Sequence, residues 1–90
     1  MRSGIDELRQ KIDQIDDKIK VLFERRMKLV LDIGKIKTER NLPVQDAVRE
    51  SEIISRLISN QDDDMAEYTK TLFATLLKVS RSYQTGKLGL

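Results

Sequence analysis

The stretch "VLFERRMKLVLDIGKIK", residues 21–37, carries Arg26 where a run of regularly spaced apolar residues should continue. At helical pitch the spacing from Arg26 to Lys37 leaves the two about 20° apart around the axis and about 16 Å apart along it. Two long cationic side chains leaning together can hold a small anion. Arg9 lies about 25 Å before Arg26 along the same helix and about 100° round it. That is out of reach of the same small ligand from its own chain, but in an antiparallel pair of long helices Arg9 of one chain approaches the middle of the other. Asp46, Arg49 and Glu50, in "QDAVRE", fall in the first turn of a second helix, where free amides and the dipole favour an anion or an oxygen-rich ligand. Ser80 and Gln84 share one face of a third helix and offer neutral hydrogen-bonding groups. The set holds cations, carboxylates, a hydroxyl and an amide, with no nucleophile–base pair. The chain has no cysteine and no histidine, which excludes disulfides, thiolate chemistry, the usual imidazole base and most zinc sites.

Each of these residues also has a plainer reading. A seam arginine paired with a carboxylate can simply set helix register. Lys37 and Arg9 taken singly are solvated charges, Asp46 is a helix cap, and Arg49 with Glu50 can form surface ion pairs. Ser80 can bond back to its own helix, and Gln84 can be a residue of a fraying end. Only the combination points to a site.

The elements that must position these groups are helical. Ile5, Leu8, Ile12, Ile15, Ile19, Leu22, Leu29, Ile33 and Ile36 recur at alternating spacings of three and four, a heptad seam that Arg26 alone interrupts. The first helix is expected over about residues 5–40, with Gly34 inside it at a cost of about 1 kcal/mol relative to Ala and room for a close approach. Pro43 disfavours helix at Leu42, and Asp46 can cap a new start. A second helix is expected over about 46–60, with Val48, Ile54, Leu57 and Ile58 on its apolar face. A third follows over about 64–84, with Met65, Tyr68, Leu72, Phe73, Leu76, Leu77 and Tyr83. Asp62 to Asp64, a candidate metal cluster, is read instead as capping that helix and opposing its dipole. The tail "TGKLGL" is expected to be loose. A first helix of roughly 54 Å exceeds what a compact chain of this length can cover, since its radius of gyration would be about 12 Å. A partner chain is expected to cover the rest.

Composition agrees. The 90 residues suit one domain spanning residues 1–90, and with 36% charged and 39% hydrophobic residues they suit an exposed, charge-laced all-α protein. The net charge of +2 is dispersed along the chain, so there is no basic arm for nucleic acid. No apolar run approaches the roughly 18 residues of a membrane span, and the charged N-terminus is no signal peptide. The expected location is the cytoplasm.

The blocks "LRQKIDQIDDKI", "ERRMKLVLDIGKIK", "LPVQDAVRE" and "SRSYQ" resemble, in order and spacing, the all-helical class of chorismate mutases. The resemblance runs from about residue 5 to 84. It implies three helices per chain, one long and two shorter, intertwined with a second copy as a six-helix homodimer with two sites. It implies rearrangement of chorismate to prephenate in phenylalanine and tyrosine biosynthesis, without metal or organic cofactor. Carried over by position, the carboxylate-binding arginines fall on Arg9, from the partner chain, and Arg26. The ether-oxygen contacts fall on Lys37 and Gln84, the hydroxyl-binding region on Asp46 and Glu50, and the remaining contacts on Arg49 and Ser80. Such a unimolecular rearrangement needs neither proton transfer nor a covalent intermediate, in keeping with a chain that lacks histidine and cysteine. A chain ending at Leu90 is expected to be monofunctional. The alternatives are an isochorismate pyruvate lyase on the same scaffold and a non-catalytic helical dimerisation or regulatory module.

Overall fold

The computed structural model describes residues 3–90. Three helices account for most of them: α1 (Gly4–Glu39), α2 (Ala47–Ile58) and α3 (Asp63–Leu88). Ser3 starts α1 by accepting a hydrogen bond on its hydroxyl from the Asp6 N–H at 3.2 Å. Asp6 and Glu7 in the first turn and Lys37 in the last oppose the helix dipole. The helix ends because Asn41 takes a left-handed conformation, φ 56°. The Leu42 N–H then reaches back to the Lys37 carbonyl at 2.8 Å and the Asn41 N–H to that of Thr38 at 3.2 Å, a Schellman closure.

α3 runs parallel to the C-terminal half of α1, in steps of one helical turn. Ser80 meets Arg26, Gln84 meets Val30, and Leu88 meets Gly34. α2 returns the chain between them and packs on α3. The core is thin. Met27, Ala66 and Leu77 are its buried apolar residues, Ser80 and Gln84 are buried beside them, and among the described residues no side chain is fully enclosed.

The N-terminal half of α1 projects beyond this packing. Its seam is open to solvent, with Ile5 60%, Ile12 53% and Leu22 58% exposed. The chain measures 60 × 29 × 15 Å with a radius of gyration of 16.9 Å, against about 12 Å for a compact chain of this length. Its accessible surface is 7473 Å², against roughly 5400 Å² for a compact chain of the same mass.

The expected boundaries need three amendments. The tail is not loose: α3 continues to Leu88, and Gly89, at φ 71°, closes it with its N–H on the Thr85 carbonyl. The Leu90 N–H bonds to the same carbonyl at 3.0 Å. The physical reason is Gly34, where an added Cβ would lie 2.8 Å from Leu88 Cδ1; the missing side chain makes the socket that holds the last turn of α3. Second, α2 stops at Ile58, short of the expected end. Third, Asp62 occupies the N-cap of α3 without a side-chain cap bond, while Asp63 and Asp64 in the first turn do oppose the dipole. Among the described residues no group of His, Cys, Asp or Glu is placed to hold a metal ion, and no helix is long and apolar enough to cross a membrane.

Candidate active site

One cleft of about 240 Å³ opens where the C-terminal half of α1, the start of α2 and the late part of α3 converge. Arg26 and Lys37 enter it from α1, Asp46, Arg49 and Glu50 from the start of α2, and Ser80 and Gln84 from α3. Leu29, Val30, Ile33, Val44, Ile53 and Leu77 line the rest with apolar surface. Of the residues expected from sequence, only Arg9 stands apart: it is exposed on the projecting arm of α1 and does not line the cleft of its own chain.

Local folding fixes each group. Arg26 Nη1 donates to the Ser80 hydroxyl at 2.9 Å, and that hydroxyl donates to the Leu76 carbonyl at 2.8 Å. The plain reading of Ser80, a bond back to its own helix, therefore holds, and the same hydroxyl, 4% exposed, also accepts from the Arg26 guanidinium. Lys37 Nζ donates to the Val44 carbonyl at 3.3 Å, so the turn that ends α1 also aims its last cation. Gln84, 8% exposed, donates through Nε2 to the Val30 carbonyl at 2.8 Å. Asp46 caps α2, accepting the Arg49 N–H at 3.0 Å. For the three side-chain donors part of the capacity remains, since a guanidinium carries five N–H groups, an ammonium three and an amide two.

Arg26 has no carboxylate partner among the salt bridges of the described residues, so it is not a register-setting pair. Burial lowers its pKa from the ordinary arginine value, and the positive charge of Arg49 lowers it further. Both effects disfavour the cation that arginine nevertheless remains at neutral pH. A bound anion would relieve both.

Sequence reasoning passed over one residue. Arg81 lines the cleft, and its Nη1 pairs with Glu50 Oε1. The signal was available: Leu77, Arg81 and Gln84 lie four and three residues apart, on one helical face. With Arg81 the cleft brings four cations against two carboxylates, a surplus of positive charge in mostly apolar walls.

The family model for chorismate mutase type II matches residues 8–85. The chain belongs to this family. The match includes every residue expected at the site, Arg9 among them. The chain is similar to a chorismate mutase of Methanocaldococcus jannaschii, 41% identical over 51 residues, or 57% of this chain and 52% of that protein. It is also similar to a bifunctional chorismate mutase/prephenate dehydratase of Aquifex aeolicus, 44% identical over 52 residues, or 58% of this chain and 14% of that protein. These alignments span about half or less of those relatives' length. In three dimensions it superposes on the chorismate mutase of Thermus thermophilus with a TM-score of 0.82 and 33% identity, covering 87% of this chain and 99% of that one.

Proposed function

We propose that the chain is a chorismate mutase, converting chorismate to prephenate within aromatic amino acid biosynthesis in the cytoplasm. The observation that carries the proposal is the convergence of Arg26, Lys37 and Gln84, from separate parts of two helices, on one positively charged cleft in a chain of this family. Chorismate is a dicarboxylate whose enolpyruvyl ether breaks at a C–O bond while a new C–C bond forms within the same molecule. No proton is moved and no group leaves.

The cleft's part is to hold the folded conformer and to stabilise the charge that grows on the ether oxygen. Arg26, steadied by Ser80, clamps one carboxylate, bidentately where its remaining donors allow. Lys37 and the remaining N–H of Gln84 face the ether oxygen. Asp46 and Glu50 receive the substrate hydroxyl, and Arg49 adds a cation at the amide-rich start of α2. Apolar walls lower the local dielectric and strengthen each of these contacts.

The second carboxylate falls to Arg9 of a second copy. This rests on the exposed arm of α1: its apolar seam from Ile5 to Leu22 is uncovered, and the surface in excess of a compact chain is about 2000 Å² per protomer, the scale of an obligate interface. An intertwined six-helix homodimer buries that seam and carries each Arg9 towards the other chain's cleft.

The deciding experiment is proton NMR of chorismate, and separately of isochorismate, incubated with the purified chain. Prephenate from chorismate is expected. Pyruvate from isochorismate as the dominant product would replace the mutase with a lyase, and two unchanged substrates beside a folded dimer would leave a binding module.

A further inference from the structure

The cleft contains one charged contact that the reaction as described does not use, the pairing of Arg81 on α3 with Glu50 on α2. It crosses between two helices, 31 residues apart in sequence, and both partners are partly buried, with side-chain exposures of 35% and 24%. Glu50 also sits in the first turn of α2, where the helix dipole already favours its charge. The pair therefore adds a contact beyond the favourable placement of a carboxylate at the start of the helix.

Its geometry does something else. A carboxylate has two acceptor oxygens, and Arg81 takes Oε1. Oε2 then keeps both of its lone pairs for a ligand in the cleft, and the carboxylate can no longer rotate freely about its terminal torsion. Arg81 stands one turn along α3 from Leu77 and shares its face. Leu77 is 6% exposed, so the helix that carries the guanidinium is itself held in the core. Glu50, by contrast, is carried by a short helix with no buried residue, whose position depends on what α3 offers it.

We infer that Arg81 is a positioning residue that fixes Glu50 against α3 and presents Oε2 to the substrate hydroxyl. The inference rests on the chorismate mutase reading and adds to it a residue that acts through Glu50 rather than on the substrate. It makes the hydroxyl contact depend on a cation of a different helix, so that the packing of α2 on α3 and the recognition of the hydroxyl are linked.

The test is a double-mutant cycle in steady-state kinetics with chorismate, using Arg81→Met, Glu50→Gln, the combination, and Arg81→Lys. Losing the contact of a positioned charged acceptor lowers kcat/KM about tenfold or more. Arg81→Met is expected to show a loss of that order, and the double variant is expected to be no worse than Glu50→Gln alone. Arg81→Lys, which keeps one charge-assisted bond to Oε1, is expected to recover most of the loss. Losses that multiply in the double variant would make Arg81 an independent substrate-binding cation and overturn the inference. So would a normal kcat/KM in Arg81→Met, whether or not its melting temperature falls, since that pair would then only hold helices together. Wild-type chain inactive on chorismate would instead overturn the mutase reading itself.

Discussion

At the scale of single residues, the site is built from polar groups that cost the fold something. Arg26 interrupts an apolar seam, is partly desolvated and has Arg49 for a charged neighbour. Replacing it with Met restores the seam and removes a cation whose charged form the fold disfavours. Ser80 would keep its bond to the Leu76 carbonyl, so no buried hydroxyl is orphaned. Arg26→Met is thus expected to melt at the same temperature as the wild type or higher while losing activity by about a hundredfold or more, the trade expected of a preorganised site. Thermal denaturation and turnover of chorismate check the two halves separately. A large fall in melting temperature would mean that Arg26 serves the fold. The sign of the pKa displacement makes the same point. The pKa is lowered, so protonation is less favourable in the folded chain than in the unfolded one, and the charge opposes folding at every pH below the folded value.

Helices α1 and α3 owe their register to small residues and to turns. Gly34 lets Leu88 approach, and a Cβ there would also lie 3.3 Å from Gln84 Nε2. Gly34→Ala is expected to leave stability nearly unchanged: the helix gains about 1 kcal/mol from alanine, offset by displacement of the Leu88 side chain. Turnover is expected to fall several-fold as Gln84 shifts from Val30, and melting curves with kcat measured on one preparation distinguish the two effects. A variant as active as the wild type would show that Gln84 tolerates the crowding. These small-residue contacts also mark the limit of what the chain's pattern discloses. The seam of α1, the break at Pro43 and the cap at Asp46 were legible because each is a local signal with a local cause. The extension of α3 to Leu88 was not, because "TGKLGL" reads as a loose chain end, and the contact that stabilises it comes from a glycine on another helix. The place of Arg81 in the cleft was legible from the helical face it shares with Leu77 and Gln84. Its pairing with Glu50 on α2 was not, because no periodicity within α3 announces a partner on another helix.

For the molecule as a whole, the uncovered half of α1 and the position of Arg9 belong together. If the second carboxylate is held by Arg9 of a second copy, Arg9→Ala and Lys37→Ala homodimers are each expected to be nearly inactive, with Lys37→Ala losing on the order of a hundred- to a thousandfold. Mixing them is expected to return activity, because one of the two clefts in a mixed dimer keeps Lys37 from one chain and Arg9 from the other. Mixed dimers confirmed by mass but still inactive would place Arg9 outside the site. The arm has a further consequence in time. A helix of this kind forms within about a microsecond, yet the apolar seam from Ile5 to Leu22 lies open to solvent among the described residues. If a second copy covers them, the last step of refolding is an encounter, and its half-time lengthens as the solution is diluted. Stopped-flow refolding at several chain concentrations measures this directly: a final phase indifferent to concentration would mean that the arm finds cover at home, whereas a second-order phase would make the speed of folding a property of how crowded the chains are.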